Sequence, residues 1–258
     1  MTKTLLILFL SFLTFSCQTQ PATTSPKTLK VVSYNIRHAE GMDGKINTKR
    51  ITDLLTKTEA DLISLQEVDK GCTRSEKRDI VKEIATQLNM FYAFGKFMDH
   101  DGGEYGMAVL SRFPITKTIR HQLPKGTEPR CALEIRVQTD AFKSPLSFIG
   151  IHNEWKINKV RSLQIKTLIT SLKDYKHPII LSGDFNGQPT DPSLKLLIDD
   201  KWHILDKKGA KTWPSQNPRV EIDFIMTKQL PSFSVEHYVI EDTETSDHRP
   251  IYAKFSFK

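Results

Sequence analysis

Short runs of apolar residues, broken by glycine, proline or charged residues, recur along most of the chain. Runs of this length and composition predict buried or half-buried β-strands. The predicted strands are 29–36, 61–65, 91–97, 107–110, 115–122, 131–137, 145–151, 179–182, 220–226, 234–240 and 251–257.

Other segments place their apolar residues at the spacing of an amphipathic helix. They are 46–58, 79–89, 159–172 and 191–198. Asp191 is the expected N-cap of the last helix, because its side chain can accept a backbone N–H at the helix start. Two runs of strands with helices between them favour an α/β sandwich, with paired sheets inside and helices outside.

The N-terminal segment 1–16 has a different pattern. Lys3 precedes an apolar segment, 5–15, that only Ser11 and Thr14 interrupt. This segment is too short to cross a bilayer as a helix, but it fits the core of a secretory signal. A small residue precedes Cys17, as in a bacterial lipoprotein cleavage site, although Thr14 stands where leucine is usual. We therefore predict a lipoprotein-type signal peptide with Cys17 lipidated; an ordinary signal peptide with an incidental cysteine is the alternative.

Residues 17–28 are rich in threonine, proline, serine and glutamine. A segment of this composition cannot bury enough surface to fold, so we predict a flexible tether. Residues 29–258 then form one folded domain. This organisation predicts secretion across the inner membrane and a membrane-anchored protein of the periplasm, the outer membrane or the cell surface. Gln18, rather than aspartate, after Cys17 favours the outer membrane.

The composition, 38% hydrophobic and 26% charged, is that of a soluble globular domain. A net charge of +7, or +6 without Lys3, suits anionic partners such as phosphoesters, lipid surfaces or nucleic acid. The positive charge is spread along the chain, so a solvated basic surface is the alternative. With Cys17 lipidated, Cys72 and Cys131 remain, and we expect two unpaired thiols in a monomeric protein.

Acidic, amide and imidazole side chains stand at the ends of several predicted strands. Asp184 and Asn186 follow strand 179–182, and residues two apart on an extended chain point the same way. Ligands of open α/β sheets bind beyond such strand ends. Further polar residues of this kind are Asn35, Glu67, His152, Asp247 and His248, and Asp223 lies inside strand 220–226. For Asp184 and Asn186 alone, a local turn is the alternative. The recurrence of such polar residues at several strand ends favours one shared site.

These residues lie in short motifs along the chain: Ser33-Tyr34-Asn35-Ile36-Arg37, Leu65-Gln66-Glu67-Val68, Ala108-Val109-Leu110-Ser111-Arg112, Gly183-Asp184-Phe185-Asn186, Glu221-Ile222-Asp223-Phe224 and Ser246-Asp247-His248-Arg249-Pro250. In this order they resemble the endonuclease/exonuclease/phosphatase superfamily, which includes DNase I-like nucleases, neutral sphingomyelinases and inositol polyphosphate 5-phosphatases. The resemblance extends from Leu29 to Lys258. It implies a four-layer α-β-β-α sandwich, with two packed mixed β-sheets flanked by helices, and metal-dependent chemistry.

The resemblance implies that Glu67 and Asp247 bind Mg²⁺ or Mn²⁺, with Asn35 beside them. Carboxylate oxygens suit Mg²⁺, a hard cation that keeps several of its waters. Asp184 would orient or deprotonate the attacking water, and Asn186 would hold that water or donate to the phosphoryl oxygens. Because water attacks directly, no serine or cysteine nucleophile is implied.

The resemblance also implies two catalytic histidines. His248 would bind the phosphate and be held by Asp223. His152 would be a second phosphate contact or the proton donor to the leaving group. We pair it with Glu104, because a carboxylate beside an imidazole fixes its tautomer. The alternative is that Glu104 is an ordinary acidic residue of the predicted loop 99–106, without a catalytic partner.

Two arginines and two tryptophans are candidates for contacts with the substrate. Arg74 and Arg130 could bind an anionic group, Arg130 through a bidentate contact. The alternative for Arg74 is a solvated side chain, and the alternative for Arg130 is a structural ion pair. Trp202 and Trp213 could line a groove, although tryptophan more often packs in the interior.

Three functions remain open from the sequence. The first is an extracytoplasmic phosphoesterase acting on a lipid head group or a small phosphorylated molecule, which the predicted lipid anchor favours. The second is a secreted nuclease, although the chain lacks the basic stripe with interleaved aromatic residues that long polymers need. The third is a non-catalytic binding lipoprotein, which the intact set of motifs disfavours.

Overall fold

The computed structural model of the protein describes residues 27–257. The predicted signal peptide 1–16, Cys17 and nearly all of the predicted tether lie outside the described residues. Within 27–257, no helix combines the length and the hydropathy that crossing a membrane requires.

Twelve strands and four α-helices make up this part of the chain. The helices are α1 (Thr48–Thr58), α2 (Ile80–Leu88), α3 (Asn158–Leu172) and α4 (Pro192–Asp199). The strands are β1 (Lys27–Asn35), β2 (Leu62–Lys70), β3 (Phe91–His100), β4 (Gly103–Ser111), β5 (Ile115–Gln122), β6 (Cys131–Val137), β7 (Leu146–His152), β8 (Ile179–Asp184), β9 (His203–Ile204), β10 (Asp223–Lys228), β11 (Phe233–Val239) and β12 (Ile251–Phe257).

The strands form two six-stranded sheets, with the orders β11-β12-β1-β2-β4-β3 and β5-β6-β7-β8-β10-β9. Both sheets are mixed. β1 and β2 run parallel in the first sheet, β7 and β8 run parallel in the second, and the remaining neighbours are antiparallel.

Three apolar clusters hold the layers together. Side chains of both sheets, such as Val31 and Leu133, fill the space between the sheets. A second cluster packs α1 and α2 on the outer side of the first sheet, and a third packs α3 and α4 on the outer side of the second. The predicted four-layer sandwich is therefore confirmed. Each layer is held by burial of apolar side chains, at about 25 cal/mol for each Å² removed from water.

This topology brings several strand ends to one end of the sandwich. β1 and β8 belong to different sheets, yet the amide of Asn35 at the end of β1 lies 3.2 Å from Asp184 Oδ2 at the end of β8. β10 is antiparallel to β8, so its first residue, Asp223, is the register partner of Asp184. Polar side chains that are far apart in the sequence therefore meet at this end.

Several element ends differ from the sequence predictions. β1 begins at Lys27, inside the predicted tether, because Lys27 and Thr28 pair with the end of β12. β3 and β4 form a hairpin through the predicted loop 99–106. β10 begins at Asp223 instead of residue 220. In β1, β3 and β4 the backbone pairing continues through polar residues, because at the rim their side chains reach solvent or each other.

Two further predictions are confirmed. Asp191 caps α4, and Cys72 and Cys131 are unpaired.

Candidate active site

An open cleft of about 760 Å³ lies at the end of the sandwich where these strands finish. Eight of the residues predicted from the sequence line it: Glu67, Arg74, Arg130, His152, Asp184, Asn186, Asp247 and His248. Asn35 and Asp223 lie directly behind them, in contact with Asp184 or His248. The structure thus places these side chains together, while their catalytic roles stay predictions.

A β-bulge in β2 points Glu67 into the cleft. The register between β2 and β4 shifts between Leu65 and Val68, and Glu67 has a left-handed backbone with φ of 57°. This conformation costs a residue with a Cβ about 1–2 kcal/mol. The carboxylate is held by Asn35, whose Nδ2 donates to Glu67 Oε1 at 3.0 Å. Burial raises the pKa of Glu67.

Asn35 links the two sheets below the cleft. Its Nδ2 donates to both Glu67 Oε1 and Asp184 Oδ2, and its Oδ1 accepts the backbone N–H of Arg37 at 3.1 Å. Its carbonyl oxygen accepts the hydroxyl of Ser246, next to Asp247. Asn35 therefore positions the carboxylates of Glu67 and Asp184 from behind.

Asp184 occupies the centre of the cluster. Gly183 makes this position possible, because a Cβ on residue 183 would overlap the carbonyl oxygen of Ile151 on β7. Burial, followed by repulsion from the Asp223 carboxylate, raises the pKa of Asp184. A carboxyl group with a raised pKa accepts a proton more readily than an ordinary aspartate does.

His248 is held as a cation. Its Nδ1 lies 3.0 Å from Asp223 Oδ2, and its Nε2 lies 3.7 Å from Asp184 Oδ2. Burial acts to lower the pKa of His248, but the carboxylates of Asp223, Asp184 and Asp247 together raise it to about 10. The imidazolium is therefore the stable form at neutral pH.

His152 has the opposite protonation state. Its Nδ1 lies 3.1 Å from Nη1 of Arg130. A guanidinium only donates hydrogen bonds, so Nδ1 accepts, and the proton of the neutral ring is on Nε2, 3.5 Å from Asp184 Oδ2. Burial, and then the positive charges of Arg130 and His248, hold the pKa of His152 well below its usual value.

The predicted pairing of Glu104 with His152 is wrong. The Glu104 carboxylate lies 3.1 Å from Lys96 Nζ and 3.3 Å from Lys70 Nζ. In strand β4 successive side chains point to opposite faces, and it is Tyr105 that lines the cleft. Arg130, instead of a carboxylate, fixes the tautomer of His152.

The two predicted substrate-binding arginines are already engaged. Arg74 donates to both carboxylate oxygens of Asp69 at 2.8 Å. Arg130 is 2% exposed, and its Nη2 lies 2.8 Å from Glu128 Oε2. Its guanidinium carbon also lies 5.0 Å from the centre of the Phe97 ring. Both side chains still line the cleft, so contact with an anion stays a prediction for each.

Asn186 reaches the cleft through a turn instead of an extended strand. Its φ of 49° is left-handed, and its backbone N–H donates to Asp184 Oδ1 at 2.8 Å. Its Nδ2 donates to the carbonyl oxygen of Asn153 at 3.1 Å. The predicted convergence of Asp184 and Asn186 on one cleft is present, although the extended geometry expected for them is not.

Of the two tryptophans that the sequence offered as groove candidates, only Trp213 lines the cleft. Trp202 is buried as expected, but Trp213 is 40% exposed and lines the cleft. The Trp213 Nε1 donates to Asp247 Oδ2 at 3.1 Å. Trp155, which is 55% exposed, lines the cleft as well. The only sequence signal for Trp155 was its position just after the strand-end residue His152.

A buried ion pair, also missed from the sequence, fixes the loop that carries Trp155. Arg161 Nη2 lies 2.8 Å from Asp191 Oδ2, at the start of α4. Arg161 Nη1 donates to the carbonyl oxygen of Glu154 at 2.9 Å. Arg161 therefore ties the segment after His152 to the N-terminus of α4, and both segments line the cleft.

The acidic residues of the cleft fit a divalent cation. Glu67 and Asp247 lie in the cleft, and neither forms an ion pair with a lysine or arginine of the described residues. Asp184, Asp223 and His248 also place possible ligand atoms within 4.8 Å of one another. The Nδ1 of His248, however, already faces Asp223 Oδ2 at 3.0 Å. Glu67 and Asp247 are therefore the better candidate ligands.

A two-sheet sandwich that gathers carboxylates and imidazoles in one cleft defines the DNase I-like class of α/β proteins. The chain belongs to the endonuclease/exonuclease/phosphatase family, whose sequence model matches residues 32–248. This family includes phosphatases and nucleases, and its members are generally hydrolases of phosphoester bonds that use a divalent metal.

Individual relatives are distant in sequence. Escherichia coli YbhP, an uncharacterised protein, is 23% identical over 252 residues, which cover 91% of this chain and 98% of YbhP. A functionally unknown protein of Enterococcus faecalis has a similar structure, with a TM-score of 0.74, 19% identity, and coverage of 89% of this chain and 100% of that one. The mannosyl-6-phosphatase Bt3783 of Bacteroides thetaiotaomicron has a TM-score of 0.69, with the same identity and coverages. At this identity the likeness of the structures establishes the fold alone.

Proposed function

We propose that this chain is an extracytoplasmic, divalent-metal-dependent phosphoesterase that hydrolyses its substrate by direct attack of water. The convergence of His248 and His152 on Asp184 carries the proposal, because Nε2 of each imidazole lies within 3.7 Å of Asp184 Oδ2. Such a set offers a cation, a neutral N–H donor and a proton acceptor around one point. Groups of these three kinds accelerate phosphoester hydrolysis.

Each side chain has a definite part in this reaction. The His248 imidazolium binds the nonbridging phosphoryl oxygens. The neutral Nε2–H of His152 donates a hydrogen bond to a second phosphoryl oxygen or to the leaving oxygen, which takes its proton from solvent. Asp184 orients the water and accepts its proton, aided by the pKa that burial and Asp223 raise. Asn186 holds the water or donates to the phosphoryl group. A divalent cation, held by Glu67 and Asp247, would neutralise the charge that develops on the phosphoryl and leaving oxygens.

The cleft suits a lipid head group or a small phosphorylated molecule. Its volume of about 760 Å³ is within the range of small-molecule sites. The similar fold of the Bacteroides thetaiotaomicron mannosyl-6-phosphatase supports a small phosphorylated substrate. The predicted signal peptide and the lipidation of Cys17 support action outside the cytoplasm, at a membrane.

An activity panel tests the proposal. Bis-p-nitrophenyl phosphate, plasmid DNA, sphingomyelin, inositol phosphates and hexose phosphates are incubated with the protein and Mg²⁺ or Mn²⁺, with and without EDTA. We expect turnover of a small phosphoester or a lipid head group that EDTA abolishes. Preferential cleavage of DNA would establish the nuclease instead. Absence of metal-dependent turnover on the whole panel would favour the binding lipoprotein.

A further inference from the structure

Exposed apolar and basic side chains alternate at the start of α3, beside the mouth of the cleft. The apolar ones are Trp155, Ile157 and Leu163, which are 55%, 43% and 50% exposed. The basic ones are Lys156, Lys159 and Lys166, which are exposed as well. We call these six residues the α3 face.

The α3 face combines exposed residues of the helix with the three residues that precede it, Trp155, Lys156 and Ile157. Lys159, Leu163 and Lys166 are spaced by four and three positions, so they share one side of α3. The opposite side carries Ile165 and Leu168, which are buried against the second sheet. Trp155 lies in the loop before the helix and also lines the cleft. Whatever contacts this face is therefore brought to the cleft mouth.

The charge of the α3 face is uncompensated. No acidic residue occurs between Glu154 and Asp174 in the sequence, and none of the three lysines forms an ion pair with a carboxylate of the described residues. The Glu154 carboxylate is buried and accepts backbone N–H groups of Thr127 and Lys156. On the neighbouring helix α4, by contrast, Lys195 is paired with Asp199 at 3.3 Å.

We propose that the α3 face docks on an anionic phospholipid bilayer and holds the cleft mouth at the level of the head groups. Tryptophan prefers the boundary between apolar and wet regions, aliphatic side chains insert beside it, and lysines reach anionic head groups. A polyanion such as nucleic acid would attract the lysines, but it offers no partner for Ile157 and Leu163. The proposal goes beyond the proposed reaction and does not require it, since docking is measured as binding.

The test uses an environment-sensitive NBD label on a single introduced cysteine. In the full chain with Cys17→Ser, Leu163→Cys is labelled; Cys72 and Cys131 are buried, so they are protected in the folded protein. Ile198→Cys on α4 is the matched control, because Ile198 is 51% exposed and lies outside the α3 face. Vesicles of phosphatidylglycerol and phosphatidylcholine are compared with vesicles of phosphatidylcholine alone.

We expect NBD fluorescence at residue 163 to rise and shift to the blue on the phosphatidylglycerol vesicles, while the label at residue 198 stays in water. Replacing Lys156, Lys159 and Lys166 together by glutamine should weaken vesicle binding by about 100-fold, because each lysine near an anionic surface contributes about fivefold. Lys195→Gln serves as the control and should bind like the parent chain. Circular dichroism establishes that every variant is folded.

Three results would overturn the proposal. One is a label at residue 163 that stays in water on the anionic vesicles. Another is a spectral change at residue 163 that depends on protein concentration without vesicles, which means self-association. The third concerns the double variant Ile157→Ser, Leu163→Ser. If it binds both vesicles and a single-stranded oligonucleotide as tightly as the parent does, the α3 face is a general polyanion-binding surface. Each result is independent of whether the chain hydrolyses any phosphoester.

Discussion

At the level of single residues, the sequence motifs located the candidate site, but they did not show which side chains touch. His152 follows an apolar strand, and His248 precedes one. The sequence predicts a carboxylate partner for both. The structure gives His248 that partner, Asp223, and gives His152 an arginine. Partner choice depends on the register of the β3–β4 hairpin, which points Tyr105 into the cleft and Glu104 away from it. No local pattern in the sequence encodes that register.

The cluster around Asp184 gives the first prediction. Asp184→Asn removes the proton acceptor, and His248→Ala removes the cation, so each should lower kcat on a soluble phosphodiester by at least about 100-fold. The variants should keep the circular dichroism spectrum of the parent. Glu104→Gln is the matched control: it loses ion pairs with Lys70 and Lys96 at the rim, and its rate should stay within about twofold, as surface ion pairs contribute little. Parent-like rates for both Asp184→Asn and His248→Ala would refute the assignment.

Trp213 gives a second prediction, on cation binding. Its Nε1–H donates to Asp247 Oδ2 and so orients a candidate metal-binding carboxylate. Trp213→Phe keeps an aromatic ring but removes this donor. Partners of this kind change metal affinity by about 10–100-fold when they are lost. We expect the Mg²⁺ concentration for half-maximal activity to rise by about tenfold, measured by metal titration of the EDTA-treated protein. An unchanged titration would mean that the hydrogen bond does not help to hold the cation.

At the level of elements, helices were easier to predict than strand ends. The helices follow from local periodicity, and α2 and α4 begin within a residue or two of the prediction, after Asp79 and Asp191 as caps. Strand ends depend on partners that are distant in the sequence. β1 starts early because β12 is there to pair with it, and β10 starts at Asp223 because it pairs with the end of β8.

A buried carboxylate between β6 and its neighbours gives a third prediction. Glu134 accepts hydrogen bonds from His121, Arg136, Ser147 and Tyr175 at 2.7–3.0 Å. Burial acts to raise the pKa of Glu134, but these four partners lower it to about 2. Because the folded-state pKa is depressed, the ionised group stabilises the fold above its unfolded pKa, and this stabilisation is lost as the pH falls towards about 2.

Glu134→Gln should therefore lower the free energy of unfolding at pH 7, by about 3 kcal/mol if the whole pKa shift is lost. The loss should shrink as the pH falls below about 4.5, where the unfolded chain of the parent takes up its proton. Urea unfolding at pH 7 and in acid measures both values. Glu236→Gln on β11 provides the matched surface control for removing a carboxylate, because Glu236 is exposed. An equal loss for Glu134→Gln at every pH would show that packing, instead of ionisation, matters at this position.

At the level of the whole molecule, the pattern and the resemblance predicted the layers of the sandwich, but neither predicted the order of the strands in the two sheets. Periodicity identifies strands, but it gives neither their neighbours nor the face that meets the other sheet. In the structure, Ser64 of β2 and Ser182 of β8 lie 2.8 Å apart across the sandwich, a contact between small polar residues that hydropathy does not suggest. The family motifs mark the strand ends that meet at the cleft, but they do not give the neighbours of each strand.

The direction of β1 gives the last prediction. The chain enters β1 at Lys27 and reaches the cleft at Asn35, so its entry point lies at the opposite end of a strand about 30 Å long. Residues 18–26 separate Cys17 from β1, and nine residues reach about 30 Å at most. A domain anchored through Cys17 can therefore bring its cleft mouth to the same membrane only by lying on its side. Residues 18–26 must then be extended over most of their length of about 30 Å.

Deleting residues 19–24 from the lipidated protein should consequently reduce contact of the α3 face with its own membrane. The NBD signal at Leu163→Cys should fall by several fold in proteoliposomes, while turnover of a soluble phosphodiester stays unchanged, because the deletion lies outside the domain. Replacing the same residues by an equally long glycine–serine segment is the matched control and should preserve the signal. An unchanged signal after the deletion would mean that the face does not meet the anchoring membrane, and the cleft would then serve a substrate in solution or in another membrane.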